Sequence, residues 1–286
     1  GGCVRDALLG REPKDWDITT SAAPMQVKEL FRRTIDTGIQ HGTVTVMLDK
    51  EGFEVTTYRI DGKYEDGRHP KEVLFTKNLE EDLKRRDFTI NAMAYNETKG
   101  LIDLFGGRDD IKAGMIRCVG NPMERFGEDA LRIMRAVRFS AQLGYQIETN
   151  TEAAIKELAH TLQHISVERI QVELVKTLVS AHPEYILKMY EMGLTKEFLP
   201  EFDIMMETPQ NNPHHIYNVG IHTIKVMENV PPEMVLRYSA LLHDVAKPEV
   251  QVITETGEHR FPGHAEAGAP KAKAVMRRMK FDNETT

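Results

Sequence analysis

Cysteine is nearly absent from this chain of 286 residues, with Cys3 and Cys118 as its only two. That excludes a disulfide framework or a zinc ribbon and suits a reducing compartment, where both pack as small apolar side chains. No apolar run approaches the ~20 residues needed to cross a bilayer. Nor does a charged, apolar, small-residue leader pattern open the chain, so a cytoplasmic protein without membrane association is expected. An excess of positive charge is missing too. With 37 Lys and Arg against 44 Asp and Glu, the formal charge is -7. Proteins that coat nucleic acid nonspecifically draw on a broad surplus of cations, so any RNA contact here is expected in a local basic cleft. There is no internal repeat and no low-complexity tract.

A hydrophobic fraction of 41% and a charged fraction of 28% are those of a soluble globular protein long enough for two or three domains. Residues 1–115 mix short β-like runs with helical patterns, and β-branched residues cluster in Thr43–Leu48 and Phe53–Arg59. This predicts a small mixed sheet with helices. Asp15–Thr19 reads as a further strand behind a helix entered at Gly2, and Asp61–Lys71, rich in Gly and charge, reads as a loop. From about Asn121 amphipathic helix takes over, with apolar positions at three- and four-residue steps in 129–143, 151–163 and 166–181. Pro200–Pro213 reads as a linker before another helical unit starting near His214. Expected domains are therefore a head at 1–115, a helical neck at 116–200 and a second helical unit at 210–286. Both ends read as cut: Gly1 opens inside a strand-to-helix turn without its strand, and Thr286 follows directly on a helical pattern.

The first twenty residues carry the chemistry. In a strand, residues two apart share a face, so Asp15 and Asp17 would stand side by side with Trp16 turned away. Two adjacent carboxylates need a cation, and hard oxygen ligands at this separation suit Mg2+, which keeps its other positions for water and substrate phosphates. Gly1 and Gly2 allow backbone to approach those phosphates, and Arg5 offers a charged contact one helical turn on. Glu54, on the polar side of the strand FEVTTYR, is the candidate third carboxylate of a two-metal site. Farther along, Asp129, Arg132, Arg135 and Arg138 recur at three-residue steps in EDALRIMRAVRF. On a helix they would align one acceptor with several donors, a pattern able to read the Watson-Crick edge of C or A.

GG-x-V-R-D-x-L-L-G followed by D-W-D resembles the polymerase beta superfamily, and specifically the class II (bacterial-type) tRNA nucleotidyltransferases, the CCA-adding enzymes, with the related poly(A) polymerases. The resemblance continues through HGTVTV at His41–Val46, DGRHPKEV at Asp66–Val73, RRDFTINAMA at Arg85–Ala94, DLFGGRDD at Asp103–Asp110, the motif at Glu128–Phe139 and SVERIQVEL at Ser166–Leu174. It implies a polymerase-beta-like α+β head followed by an all-α neck. It assigns Arg86 to nucleotide phosphate, the third motif to a hinge-like role, and the 129–138 motif to choosing CTP and ATP without a template. The implied reaction is attack of a tRNA 3′ hydroxyl on the α-phosphate of CTP or ATP, releasing pyrophosphate. A poly(A) polymerase, or an enzyme adding only CC or only A, would share this head and neck. The HGTVTV and DGRHPKEV segments resemble the CCA-adding branch more closely.

A separate signal follows in HHIYNVGIHTIKVM and LLHDVAKP. It resembles the HD superfamily of metal-dependent phosphohydrolases and implies an all-α HD domain with His222, His243 and Asp244 as ligands and His264 as a further one. Imidazole with carboxylate favours Ni2+, Mn2+ or another transition metal. The family's last Asp is expected beyond the helix at 264–279, and Asp282 comes too soon to supply it. A phosphohydrolase acting mainly through this region and a catalytically dead RNA-binding module are the readings of other classes. Against the latter, Asp15, Asp17, Arg86, Asp129 and Arg132 are all present.

Overall fold

The computed structural model describes the chain apart from residue 14, residues 63–72, residues 212–215 and residue 286. Most of the 61–71 loop, nearly all of the DGRHPKEV motif and the expected start of the second helical unit at His214 lie outside the described residues. The chain forms two compact units, Gly1–Asp129 and Ala130–Thr286.

The first unit is built on a mixed four-stranded sheet of β1 (Asp17–Thr20), β2 (Thr34–Gly38), β3 (Thr43–Leu48) and β4 (Glu51–Thr57), in the order β1-β4-β3-β2. β1 runs parallel to β4, and the other pairs are antiparallel. In β3 the alternation of Thr with Val turns Val44 and Val46 inward, where they meet Val55 of β4 and Val27 of the helix Pro24–Leu30. Around the sheet lie α1 (Gly2–Leu8), α2 (Pro24–Leu30), α3 (Leu79–Lys84), α4 (Gly107–Ala113) and α5 (Pro122–Glu128), with the ribbons β5–β6 (Arg59–Asp61, Val73–Phe75) and β7–β8 (Met93–Asn96, Gly100–Asp103). Two strands differ from expectation in their limits. β1 covers Asp17–Thr20, leaving Asp15 in the bend before it, and β4 covers Glu51–Thr57, with Arg59 opening the next strand.

The third motif is a strand end, a tight turn and a helix. Asp103 caps α4 by accepting from the backbone N–H groups of Gly107 and Arg108, each at 2.8 Å. Gly107 is required, because a Cβ there would lie 2.2 Å from the Thr89 carbonyl oxygen. The same junction is sealed by Asp110, which accepts from Thr89 Oγ1 at 2.6 Å and from Arg117 Nε at 3.2 Å.

The second unit is helical apart from short two-residue strands. α6 (Leu131–Leu143) is buried on almost every face, and α7 (Thr149–Leu158), α8 (Val167–Leu178), α9 (Ile186–Glu191), α10 (Thr195–Phe198) and α11 (Pro200–Glu207) follow. Then come α12 (Val219–Glu228), α13 (Met234–Leu242), α14 (Lys247–Val250) and α15 (His264–Arg278). Pro200–Pro213 is thus not a linker throughout. Pro200 occupies the first helical position, where its missing N–H is harmless, and Glu201 and Asp203 favour the helix start. No helix among the described residues is long and apolar enough to cross a membrane.

Candidate active site

The parallel pairing of β1 with β4 sets Asp17 directly opposite Glu54. Neighbouring strands stand about 4.8 Å apart, so two carboxylates from sequence positions far apart share one edge of the sheet. Asp15, Asp17 and Glu54 are all exposed. Among the described residues no ion pair or side-chain hydrogen bond engages their carboxylates. An oxygen-only acidic set fits a hard divalent cation such as Mg2+.

Gly1 and Arg86 meet at the same edge. A Cβ on Gly1 would lie 3.2 Å from Arg86 Nη1, tight enough to press on the guanidinium, and 3.4 Å from Asp17 Oδ2, in ordinary contact. The Gly1 nitrogen donates to the Met93 carbonyl at 2.5 Å, which holds the turn against the start of β7. Arg5 donates through Nη1 to Asn91 Oδ1 at 2.7 Å and through Nε to Asp6 at 2.9 Å. It therefore fastens α1 to the second motif, and its expected phosphate contact must compete with these partners. Gly2 is the first residue of α1, with Arg5 Nη2 3.8 Å from where its Cβ would stand.

Asp129 does not lie on the helix that carries the arginines. α5 ends at Glu128, just after the poor helix former Gly127, and the Asp129 backbone is extended, with φ -144° and ψ 103°. Arg132, Arg135 and Arg138 follow on α6 at three-residue steps, as expected. Arg132 is buried, and Arg135 has its guanidinium carbon 5.3 Å from the Phe139 ring centre. Arg138 is also buried, with Nε 2.5 Å from Glu173 Oε2 on α8 and Nη1 donating to Gln142 at 3.1 Å. Of the three arginines, Arg138 is thus committed to holding α6 against α8, the helix of the fifth motif.

The second unit contains a compact cluster of nitrogen and oxygen ligands. Atoms of His222 on α12, His243 after α13 and Asp244 all lie within 4.8 Å of one another. Asp244 Oδ2 is 3.0 Å from His243 Nε2 and 3.5 Å from His222 Nε2, and its Oδ1 is 3.7 Å from His264 Nε2. His243 Nδ1 faces the Ala240 carbonyl at 2.7 Å and His264 Nδ1 faces that of Phe261 at 2.9 Å. A carbonyl can only accept, so each Nδ1 carries the proton and each Nε2 is turned toward Asp244, as where a backbone carbonyl orients a metal-binding histidine. Burial pushes the Asp244 carboxyl up, but His243 and Lys247 outweigh it and hold it down at about 2. Burial also opposes a charged His243, yet its contacts with Asp244 and the Ala240 carbonyl raise it above the ordinary imidazole value. Asp282 lies apart from this cluster, closing a turn with the backbone N–H of Thr285 at 2.8 Å.

Residue reasoning missed Lys247, whose Nζ is 2.8 Å from both Asp244 Oδ2 and Gln210 Oε1. Its i,i+3 spacing from Asp244 in HDVAK was the available signal. It also missed Asp82, the fully buried partner of Arg85 and Arg86, whose spacing in EDLKRRD is equally regular.

Residues 1–117 match the poly A polymerase head domain family, and residues 144–206 match the family described as a probable RNA and SrmB-binding site of polymerase A. The CCA-adding enzyme of Lactobacillus helveticus is 46% identical over 243 residues, which are 83% of this chain and 61% of that protein. That of Lactiplantibacillus plantarum is 54% identical over 183 residues, 64% of this chain and 45% of that protein. Among solved structures, the Bacillus stearothermophilus CCA-adding enzyme in complex with CTP aligns with a TM-score of 0.70 at 35% identity, over 98% of this chain and 65% of that one. The chain thus spans about half to two thirds of the length of these relatives. Residues 1–117 thus belong to the poly A polymerase head domain family, and the chain is similar to CCA-adding enzymes in fold along nearly its whole length.

Proposed function

We propose that this chain carries out template-independent addition of C, C and A to tRNA 3′ ends from CTP and ATP, in the cytoplasm. The observation that carries the reading is the register of β1 with β4, which sets Asp17 beside Glu54 where Gly1 and Arg86 also converge. Asp15, Asp17 and Glu54 would hold the divalent cation. When bound, Mg2+ lowers the pKa of the attacking 3′ hydroxyl and offsets charge developing on the α-phosphate. The chain's own groups do the rest. Arg86 binds the triphosphate beside Asp17 and orients pyrophosphate as the leaving group. The side-chain-free Gly1 and Gly2 leave room for the phosphates. Asp129 and Arg132 present an acceptor and donors to the base of CTP or ATP, with Arg135 beside them.

The reading is tested with tRNA lacking its last three nucleotides, supplied with CTP and ATP singly and together. CTP alone is expected to extend the tRNA by two nucleotides, and both together by three, ending in A. Long A tracts from ATP alone would identify a poly(A) polymerase instead, and growth by A only after a preformed CC end would identify an A-adding enzyme.

The cluster at His222, His243 and Asp244 supports a second activity, binding of a transition metal such as Ni2+ or Mn2+ in an HD domain. His264, 3.7 Å from Asp244, is the additional ligand for a second ion. Hydrolysis of 2′,3′-cyclic nucleotides with added Ni2+ or Mn2+ tests whether the bound metal is catalytic.

A further inference from the structure

The nucleotide-binding arginine does not stand alone. α3 ends in Arg85 and Arg86, and both turn back onto Asp82, which is fully buried. The two carboxylate oxygens divide their partners. Oδ1 accepts from Arg85 Nε at 3.0 Å, from Arg85 Nη2 at 2.9 Å and from the Arg59 backbone N–H at 3.3 Å. Oδ2 faces Arg86 Nη2 at 3.5 Å. The other end of the same guanidinium, Nη1, lies beside Gly1, where a Cβ would fall 3.2 Å from it and 3.4 Å from Asp17 Oδ2. Among the described residues Asp82 is the one anion paired with Arg86, and Arg86 Nε is buried without a hydrogen-bond partner.

We propose that Asp82 is a positioning residue for nucleotidyl transfer: its buried carboxylate, itself held by Arg85 and by the first residue of β5, sets the guanidinium of Arg86 at the angle that receives the nucleotide triphosphate. The proposal rests on the reading of Arg86 as a phosphate contact. A guanidinium with five donors in a rigid fork binds phosphate well only at a defined orientation. A buried anion on the far side restricts its rotation while leaving the Nη1 edge for substrate. The distance of 3.5 Å is long for a strong hydrogen bond, so the contact orients Arg86 without withdrawing it from the site.

The test is steady-state CMP incorporation into tRNA lacking its CCA end, for the wild type, Asp82→Asn, Asp82→Glu, Arg86→Ala and the double variant Asp82→Asn/Arg86→Ala. Asp82→Asn keeps the shape, removes the charge and is expected to raise KM for CTP about tenfold, with kcat within about threefold of wild type. Asp82→Glu keeps the charge and is expected to raise KM less. In the Arg86→Ala background, Asp82→Asn is expected to change KM by less than about twofold, because it acts through the removed side chain. Where Asp82→Asn fails to fold, Asp82→Glu replaces it in the same comparison. An additive effect in the Arg86→Ala background, or a fall in kcat with KM unchanged, would overturn the positioning role. An unchanged KM in Arg86→Ala itself would instead remove the reading of Arg86 on which the proposal stands.

Discussion

Asp17 and Glu54 face each other across two hydrogen-bonded strands, while Asp15 comes from the bend before the first of them. The pair on the rigid sheet is held in place by the ladder, and Asp15 by a short turn. Glu54→Gln keeps the shape but weakens the cation site, and a fall in kcat of about a hundredfold with an unchanged melting temperature is expected. Arg138 and Glu173 show the contrasting structural use of charge. Both are buried, so Glu173→Ala removes the buried carboxylate that faces the Arg138 guanidinium between α6 and α8. Urea unfolding should register a loss of about 3 kcal/mol. At this scale the carboxylates were legible only in part: strand periodicity pairs Asp15 with Asp17, which the start of β1 at Asp17 separates, and it leaves Glu54 as one polar side chain among several on its strand. The partner of Arg138 was not legible, since an ion pair between two helices leaves no local pattern, and Arg138 accordingly reads from sequence as one more donor in a row.

Among elements, the strands were the most readable. β3 spans the run in which Thr and Val alternate, because one face of the sheet is buried and the pattern must follow it. α11 was hidden, since Pro200 looks like a break until the chain before it is seen to end, and so was the separation of Asp129 from α6. The turn of the third motif depends on one glycine. Gly107→Ala would drive its Cβ into the Thr89 carbonyl, and calorimetry is expected to find a loss of about 2 kcal/mol or more. α11 and α15 are joined by Glu201, which accepts from Arg278 Nη1 and Nη2 at 2.6 Å each. Burial pushes the Glu201 carboxyl up, but the Arg278 hydrogen bonds outweigh it and leave it below the ordinary glutamate value. A depressed folded pKa means that the pair stabilises the fold above the unfolded glutamate value, and that the contribution is lost as pH falls through the folded one. Arg278 is 45% exposed, so solvent screening keeps the contribution under about 1 kcal/mol. Glu201→Gln should therefore lower the melting temperature slightly at pH 7, and by less as the pH falls below the ordinary glutamate value.

In the whole molecule, two compact units carry two different ligand chemistries, an all-oxygen acidic set in Gly1–Asp129 and a histidine-carboxylate set in Ala130–Thr286. Their donor types select different ions, so the sites are expected to be separable. The variant His243→Ala/Asp244→Ala should lose roughly one equivalent of bound Mn2+ or Ni2+ by calorimetric titration, while CMP incorporation stays within about twofold of wild type. A parallel loss of incorporation would join the two sites. The change from mixed sheet to helix was visible along the chain because apolar spacing shifts from two residues to three and four. The meeting of Gly1, Asp17 and Arg86 was not, because only the folded head brings the turn before α1 to the end of α3. The most direct measurement is CMP incorporation by Asp17→Ala into tRNA lacking its CCA end, in Mg2+ and at matched melting temperature. A loss of at least about a thousandfold is predicted, and turnover close to that of the wild type would contradict the assignment of this edge of the sheet as the site of nucleotidyl transfer.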